Sequence, residues 1–529
     1  MKPSMTLLLP AFTGAMALSA GDAWADVLRV PQDHATPADA LTAAASGDSV
    51  VVADGEYVLT QPISFAGKNV TLRSENGAAS TTLRMGTAVD NARASVVVFE
   101  SGESSAAVID GFTVTAGHGS RWGGASVEAG GGGILSRNGS APTIRNCVIT
   151  GNSGENGGGI MIAAGASATI EDCEVSRNNA SGFGGGVLFV STLAGCKLTS
   201  SIIRQNASAA GGGLFCYSSA SPEISGCTIE SNLARNVAGG LCCLAGNAPS
   251  VIGTTFIGNS AFGAGALSCE TGTDRPQLVN CLLVGNLAVE AGALQARSSA
   301  APRLVNCTIA SNAALQSDGG YSCPGGVPET VNSIVFGNEP ASICGTVETS
   351  ITEANPMFRR VGEFLFEQTV TVDVGGVPEE MPDFISDRGD WRLQEGSPAI
   401  DAAVSPGAPS ADIDGTARPC GEAADAGAYE LCETSELPPF RRGDSNGDGE
   451  MDVSDAVYVL GFLFLGGVTP PCQKSLDAND TGRVDISDAV YILGFLFLGG
   501  TPLPPPSTAC DKDPTPDDLS CDSFSGCGG

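Results

Sequence analysis

An asparagine recurs at positions 152, 178, 206, 232, 259, 286, 312 and 338, so the chain repeats itself every 26 to 28 residues. Around it the phrase is constant in kind. A small-residue corner such as Gly131–Gly133 precedes an apolar residue, and about thirteen residues later comes Cys, Ser or Thr, two apolar-alternating positions and the Asn. The clearest pair is GGGI ending at Ile134 with CVITGN, and GGGI ending at Ile160 with CEVSRN. A repeat this short cannot close a core of its own, so neighbouring copies must stack, each forming one coil of a solenoid. Runs of four to six residues with period-two alternation make the coil walls strands. The fold expected is mainly β, a parallel β-helix, with a small helical domain after it.

Stacked coils rise by about 4.8 Å, the spacing of paired strands, so equivalent side chains form ladders. Ile134, Ile160, Val187, Leu214, Leu241, Leu267, Leu294 and Tyr321 make one column. Cys147, Cys173, Cys227, Cys281 and Cys307 make a second, completed by Ser201, Thr254 and Ser333; Cys216, Cys243, Cys269 and Cys323 make a third. Parallel side chains at strand spacing lie wider apart than the roughly 3.8 Å between Cβ atoms that a bridge prefers, which favours free core thiols. With His34 and His118 the only histidines, a metal cluster on these cysteines is not expected. Cys323–Cys344, Cys420–Cys432 and Cys510–Cys521 are the better disulfide candidates. The Asn column reads as structural, since Asn tolerates left-handed backbone and its amides can bond along a stack.

The ends differ. Residues 1–25 read as an export signal: Lys2, an apolar stretch from Leu7 to Ala20, and the Ala23-Trp24-Ala25 cleavage site. No later stretch reaches membrane-spanning length. A net charge of −32 argues against nucleic acid or anionic lipid as partner and suits an exported surface that binds divalent cations. We read 26–95 as N-terminal cap and first coils, 96–345 as β-helix, 346–432 as C-terminal cap, 433–442 as linker, 443–500 as a calcium module and 501–529 as a Pro- and Cys-containing flap. The protein is expected to be secreted, extracellular or on the cell surface.

The GG-[GA]-[IL] and [CST]-x-[IV]-x-x-N coils resemble right-handed parallel β-helix proteins of the pectin-lyase-like superfamily, and most of all the GGAI/FxxN-type repeats of surface proteins. Asp39–Tyr57 resembles the opening cap of such helices, and Leu393–Glu430 the closing segment of bacterial ones. The superfamily includes pectate lyases and polygalacturonases. Gly117-His118-Gly119 is similar to the GHG element of the latter, yet no Asn-Thr-Asp or Asp-Asp precedes it and no Arg-x-Lys follows. Acidic coil residues such as Glu155, Glu171, Asp172, Glu174, Glu230, Glu270, Asp274 and Asp318 share no column. We therefore name no catalytic residue.

Two near-copies, DSNGDGEMDVSDAVYVLGFLFLGG and DANDTGRVDISDAVYILGFLFLGG, follow at an offset of 33 residues. Each begins with alternating oxygen-bearing residues and a Gly at the sixth place, the pattern of a calcium loop ahead of a helix. The ligands expected are Asp444, Asn446, Asp448, the Glu450 carbonyl, Asp452 and Asp455, then Asp477, Asn479, Thr481, the Arg483 carbonyl, Asp485 and Asp488. Thr481 in place of Asp should make the second loop weaker. A closing Asp and a single helix per loop resemble a dockerin type I module, which implies a cohesin-like or other docking partner. At the positions where that family carries polar recognition residues stand Val453, Ser454, Leu460, Gly461 and Leu465, with Ile486, Ser487, Leu493, Gly494 and Leu498 in the second copy; only the serines fit.

The function expected is an exported surface or matrix protein that binds carbohydrate or another surface and is attached through the calcium module. The alternatives are a polysaccharide lyase or glycoside hydrolase acting on acidic polysaccharide, and a non-binding structural spacer.

Overall fold

The structure, a computed structural model, describes residues 25–122, 128–404, 407–432, 439–465, 470–515, 517, 519–521 and 523–527. The expected export signal, up to residue 24, and residues 433–438 of the expected linker lie outside the described residues. The chain divides into two units, Met1–Leu431 and Cys432–Gly529.

The first unit is a parallel β-helix with four long sheets, of thirteen, eleven, ten and seven strands among the described residues. One coil shows the plan. Val148–Thr150 belongs to the eleven-stranded sheet, Ser153–Gly154 to the seven-stranded, Ile160–Ile162 to the ten-stranded and Thr169–Glu171 to the thirteen-stranded. In the four long sheets strands pair in parallel from coil to coil, in register apart from one shift between Ser208 and Ala210: Ile134 with Ile160, Ile160 with Val187, Val187 with Leu214, and so through Leu294 with Tyr321. The expected apolar column is thus the inner face of one sheet, fully buried along its length. A short helix, α1 (Pro37–Ala43), packs Ala40 and Leu41 into the top of the core, its first turn capped by Thr36. Capping hides edges and core that a solenoid otherwise exposes.

The Asn ladder is continuous. Each Asn backbone N–H and each Asn Nδ2 donates to Oδ1 of the Asn one coil on, from Asn152 to Asn338, at 2.8–3.1 Å. The same Nδ2 reaches back to a strand carbonyl, as Asn232 does to Ile203 at 2.8 Å. Buried corner backbone is thereby satisfied without water. The glycine corner is steric: a Cβ on Gly158 would lie 2.5 Å from Asn179 O and 2.6 Å from Gly185 O.

Ten cysteines are free and buried, including both ladders save Cys323, which is bridged to Cys344. Burial pushes the Cys227 thiol up to about 11, so it stays protonated and unreactive. In the corner column, Cys227 Sγ donates to Ser225 O at 3.4 Å while Ser201 Oγ, in the same place, donates to Thr199 O at 2.7 Å. A hydroxyl there has a partner waiting. Cys227→Ser should accordingly cost less than about 1 kcal/mol, whereas Cys243→Ser, stacked between Cys216 and Cys269 in the apolar column, should cost about 1–3 kcal/mol for a hydroxyl buried without an acceptor. Urea unfolding of the two variants checks the contrast; equal losses would refute it.

One layer went unread in the sequence. The outward side chains of the ten-stranded sheet, Leu135, Met161, Leu188, Phe215 and Cys242, are buried as a second core, covered by the glycine corners that fold over them. A C-terminal segment also returns along the helix. Its antiparallel hairpin, Thr369–Val374 with Val377–Pro382, buries Val374 and Met381 against Ala207. Ion pairs Arg235–Glu379 and Arg388–Glu230 fasten it to the coils. The closing cap then buries Trp391, Leu393 and Ala426 on Val284, Ala310 and Ile334.

The second unit pairs two helices, α2 (Val453–Leu465) and α3 (Ile486–Leu498). Ala456 and Val459, with their counterparts Ala489 and Ile492, form its core together with Leu476 and Leu503. The apolar strips do pack on each other, but only in part: Val453, Val457, Phe464, Ile486, Val490 and Phe497 stay exposed. Tail residues beyond 500 wrap this unit through Cys472–Cys521 and Cys510–Cys527. The expected Cys510–Cys521 bridge is therefore wrong. Adjacent sequence suggested it, but Cys521 pairs across a β-bridge with Cys472, which the sequence places 49 residues away. Cys420 and Cys432 are also disulfide-bonded. No helix among the described residues is long and apolar enough to cross a membrane.

Candidate functional site: a cationic cleft and two acidic loops

The coil carrying His118 is longer than those that follow it. From Gly117, whose N–H donates to Asn152 Oδ1 at 2.9 Å, to Asn152 is 35 residues instead of 26 to 28. The surplus forms an antiparallel excursion in which Gly119–Trp122 pairs with Arg93–Ala94 on one side and Glu128–Gly130 on the other. Gly117 thus stands where an Asn stands in later coils, and a Cβ there would meet Gly132 O at 1.9 Å. The first glycine of the GHG element is explained by packing.

His118 itself is exposed. Its Nδ1 lies 2.9 Å from Ser153 Oγ, which leaves Nε2 as the nitrogen able to meet a ligand. Around it are two adjoining lobes of a cleft, of 570 and 420 Å³, that share Asn91 and His118. Arg84 lines the first; Arg121, Ser153, Glu155 and Ser181 line the second. Arg84 and Arg121 are exposed. Neither makes an ion pair among the described residues, whereas Arg145, Arg204 and Arg297 are matched by Asp110, Glu174 and Glu290. In a chain of charge −32, two unmatched guanidiniums beside an imidazole form a local anion-attracting surface. Glycoside hydrolysis needs two carboxylates flanking the bond, and among the described residues Glu155 is the one carboxylate that lines the cleft. The sequence signal for this site was the irregular spacing before Asn152; the arginines carried none.

Other acidic coil residues have structural partners. Asp274 is fully buried and accepts from Gly246 N, Asn247 N and Thr271 N at 2.8–3.0 Å. Glu270 and Glu290 sit on either side of Arg297, with Ser268 and Gln295 completing a satisfied network.

In the second unit each predicted loop folds the same way. Asp444 accepts from Asp448 N and Gly449 N, and Asp477 from Thr481 N and Gly482 N, at 2.8–3.1 Å. Asp455 accepts from Asn446 N and Asp452 N, and Asp488 from Asn479 N and Asp485 N, at 2.8–3.2 Å. Opening and closing carboxylates of each loop are fully buried. Burial raises the Asp444 and Asp455 carboxyls above the usual range, each reinforced by a neighbouring carboxylate, and pushes Asp488 up to about 6. Asp448 closes on Asn446, and Thr481 lies over Asp477. Asp452 and Asp485 turn toward the helix starts and accept from Ser454 and Ser487.

A divalent cation fits this arrangement. It would relieve the repulsion between buried carboxylates and would partner Asn479 Oδ1, which is buried and has no hydrogen-bond partner. Asp477, Asp480 and Asp517 also converge, within 4.8 Å of one another. There the countercharge is already supplied. Fully buried Arg442 lies 2.8 Å from Asp480 and from Asp513, and Lys474 reaches Asp513 and Asp517 at 2.9 and 2.6 Å. Arg442, at the end of the linker read from sequence, thus lies inside the second unit.

Comparison with known proteins supports the architecture. Residues 74–261 match the family described as right handed beta helix region. This places a right-handed β-helix under the cleft. Among solved structures, the chain is similar to pectate lyase Pel9A, with 14% identity, a TM-score of 0.41, and coverage of 78% of this chain and 97% of the other. It is also similar to the Siphovirus 9NA tailspike receptor binding domain, with 11% identity, a TM-score of 0.26, and coverage of 67% and 81%. At these scores neither neighbour bears on what this chain binds. No curated protein matches it.

Proposed function

We propose that this protein is an exported carbohydrate-binding β-helix whose cleft around His118 takes an acidic polysaccharide. Its second unit is proposed to be a calcium-loaded, dockerin-like module that attaches it to a docking protein. The observation that carries the binding reading is the pair of arginines, Arg84 and Arg121, flanking His118 with no ion-pair partner among the described residues, on a strongly acidic chain. Guanidinium forks hold carboxylate or sulfate oxygens in bidentate fashion, and an imidazole nitrogen adds a third polar contact. The attachment reading is supported by the paired loops with buried carboxylates; Asp444, Asn446, Asp448 and Asp455, and their counterparts Asp477, Asn479, Thr481 and Asp488, would hold the ions, which supply the charge that lets these groups stay buried together.

Binding of the full-length protein to immobilised polygalacturonate and to a neutral glucan tests the cleft. The acidic polymer should retain it, and Arg121→Ala or Arg84→Ala should weaken retention about tenfold, the loss of one charged hydrogen-bond pair of roughly 1.4 kcal/mol. Equal retention on neutral glucan, or variants that bind like wild type, would sink the proposal. Ultraviolet absorbance from unsaturated uronates in the same incubation would instead identify a lyase.

A further inference from the structure

The cleft has one end that the chain itself closes. Ser153, Asn179, Ala207 and Leu233 follow one another, coil by coil, along the seven-stranded sheet. A polymer lying across His118 and Ser153 would, on continuing along the helix axis, run down this column. The C-terminal hairpin already occupies it. Val374 and Met381 are fully buried on Ala207, with Leu233 and Val372 packed beside them. At the tip, Gly375 N donates to Arg177 O at 3.0 Å, and a Cβ on Gly375 would meet Asn152 O at 2.4 Å. Asn152 and Asn179 immediately precede Ser153–Gly154 and Ala180–Ser181, where the cleft's second lobe begins. Hairpin and cleft therefore abut on one face. The first lobe has no comparable cover among the described residues: Thr87, Val89 and Asn91 are exposed.

The hairpin is held firmly. Besides its buried pair, Glu379 meets Arg235, Arg388 beyond it meets Glu230 at 2.5 Å, and six residue pairs zip its strands. Displacing it would expose apolar surface at about 25 cal/mol per Å² and strip two ion pairs, so a ligand segment gains little by pushing it aside.

We propose that the cleft is blind and reads the terminus of an acidic glycan chain, not its interior, with the hairpin Thr369–Pro382 as the stop. This rests on the binding reading above. Glu155, beside the stop, would accept from hydroxyls of the terminal sugar, while Arg84 and Arg121 engage acid groups of the first residues.

Saturation stoichiometry tests it. The full-length protein is titrated into two polygalacturonate preparations, one long and one short, at equal mass of uronate. End reading predicts that protein bound at saturation follows the number of chain ends, so the long preparation takes up less by the ratio of the two chain lengths. Equal saturation by mass would overturn the blind cleft while leaving the binding reading intact. No binding to either preparation would overturn both. A variant with residues 371–380 replaced by two glycines should, if it folds, raise saturation on the long polymer toward the value set by mass; unchanged stoichiometry in a folded variant would also overturn the proposal.

Discussion

Asn232→Ala is expected to lower the stability of the β-helix by about 3–5 kcal/mol, a loss large enough to move its urea midpoint visibly. Asn232 is fully buried, and its Oδ1 accepts from both Asn206 N and Asn206 Nδ2 at 3.0 Å. Its own Nδ2 donates to Ile203 O at 2.8 Å. Alanine strands Asn206 N and one of the two Nδ2 hydrogens of Asn206, the other still bonding Val175 O, and takes a donor from Ile203 O and from Asn259 Oδ1, in a site that water does not reach. Each such group costs about 1–3 kcal/mol when stranded. Cavity collapse and local shifts keep the total below the simple sum. The effect should spread to adjacent coils because a solenoid is held together by nearest-neighbour interfaces. Far-ultraviolet circular dichroism against urea is the measurement. A loss under 1 kcal/mol would mean that the ladder is decoration and that the strand pairs alone hold the corners.

Chelation is expected to act on the second unit and to spare the first. With calcium at about a thousand times its dissociation constant, binding to the folded loops adds about 4 kcal/mol per independent site, and removal with EGTA takes it away. In a calorimetric scan the transition of the second unit should fall by tens of degrees, while that of the β-helix stays in place. The physical cause lies in the buried carboxylates: Asp444 is held with Asp455, and Asp477 with Asp488, and burial raises Asp444, Asp455 and Asp488. Asp444→Ala should abolish more of the calcium effect than Thr481→Ala, because Asp444 anchors its loop through two backbone donors and Thr481 is a neutral ligand at most. Identical scans in calcium and EGTA would refute the calcium reading, and with it the dockerin-like attachment.

The sequence was most legible where period and chemistry coincide. The columns headed by Ile134, Cys147 and Asn152 are seen as ladders because stacking turns a spacing of about 27 into a straight line in space. Cys323–Cys344 was legible because Cys323 ends its column and Cys344 falls in none. Legibility failed where the contact is non-local or where composition misleads. Leu135, Met161 and Leu188 point outward from their sheet, and only the folded glycine corners bury them. Nothing in TVTVDVGGVPEEMP says that this hairpin lies on Ala207, since the contact depends on where the chain goes after the last coil. Arg84 and Arg121 are two arginines among many, and what distinguishes them is that the fold brings both to the cleft of His118, which sequence does not display. Cys510–Cys521 failed because proximity in sequence stood in for proximity in space.

The coil-to-coil register has a consequence for the history of this chain. Each coil from Asn152 to Asn338 presents to the next the same interface it receives from the one before: one Asn amide, one small corner, one apolar position. A segment of 26 to 28 residues can therefore be duplicated or lost between two such coils with the ladder rejoining across the scar. The N-terminal cap sees no difference, whereas the returning C-terminal segment, which touches coils from Asn152 through Gly258 to Ile334, has to change in length to match. Length in such a protein is a quantity that recombination can set in whole coils, provided the returning segment changes with it.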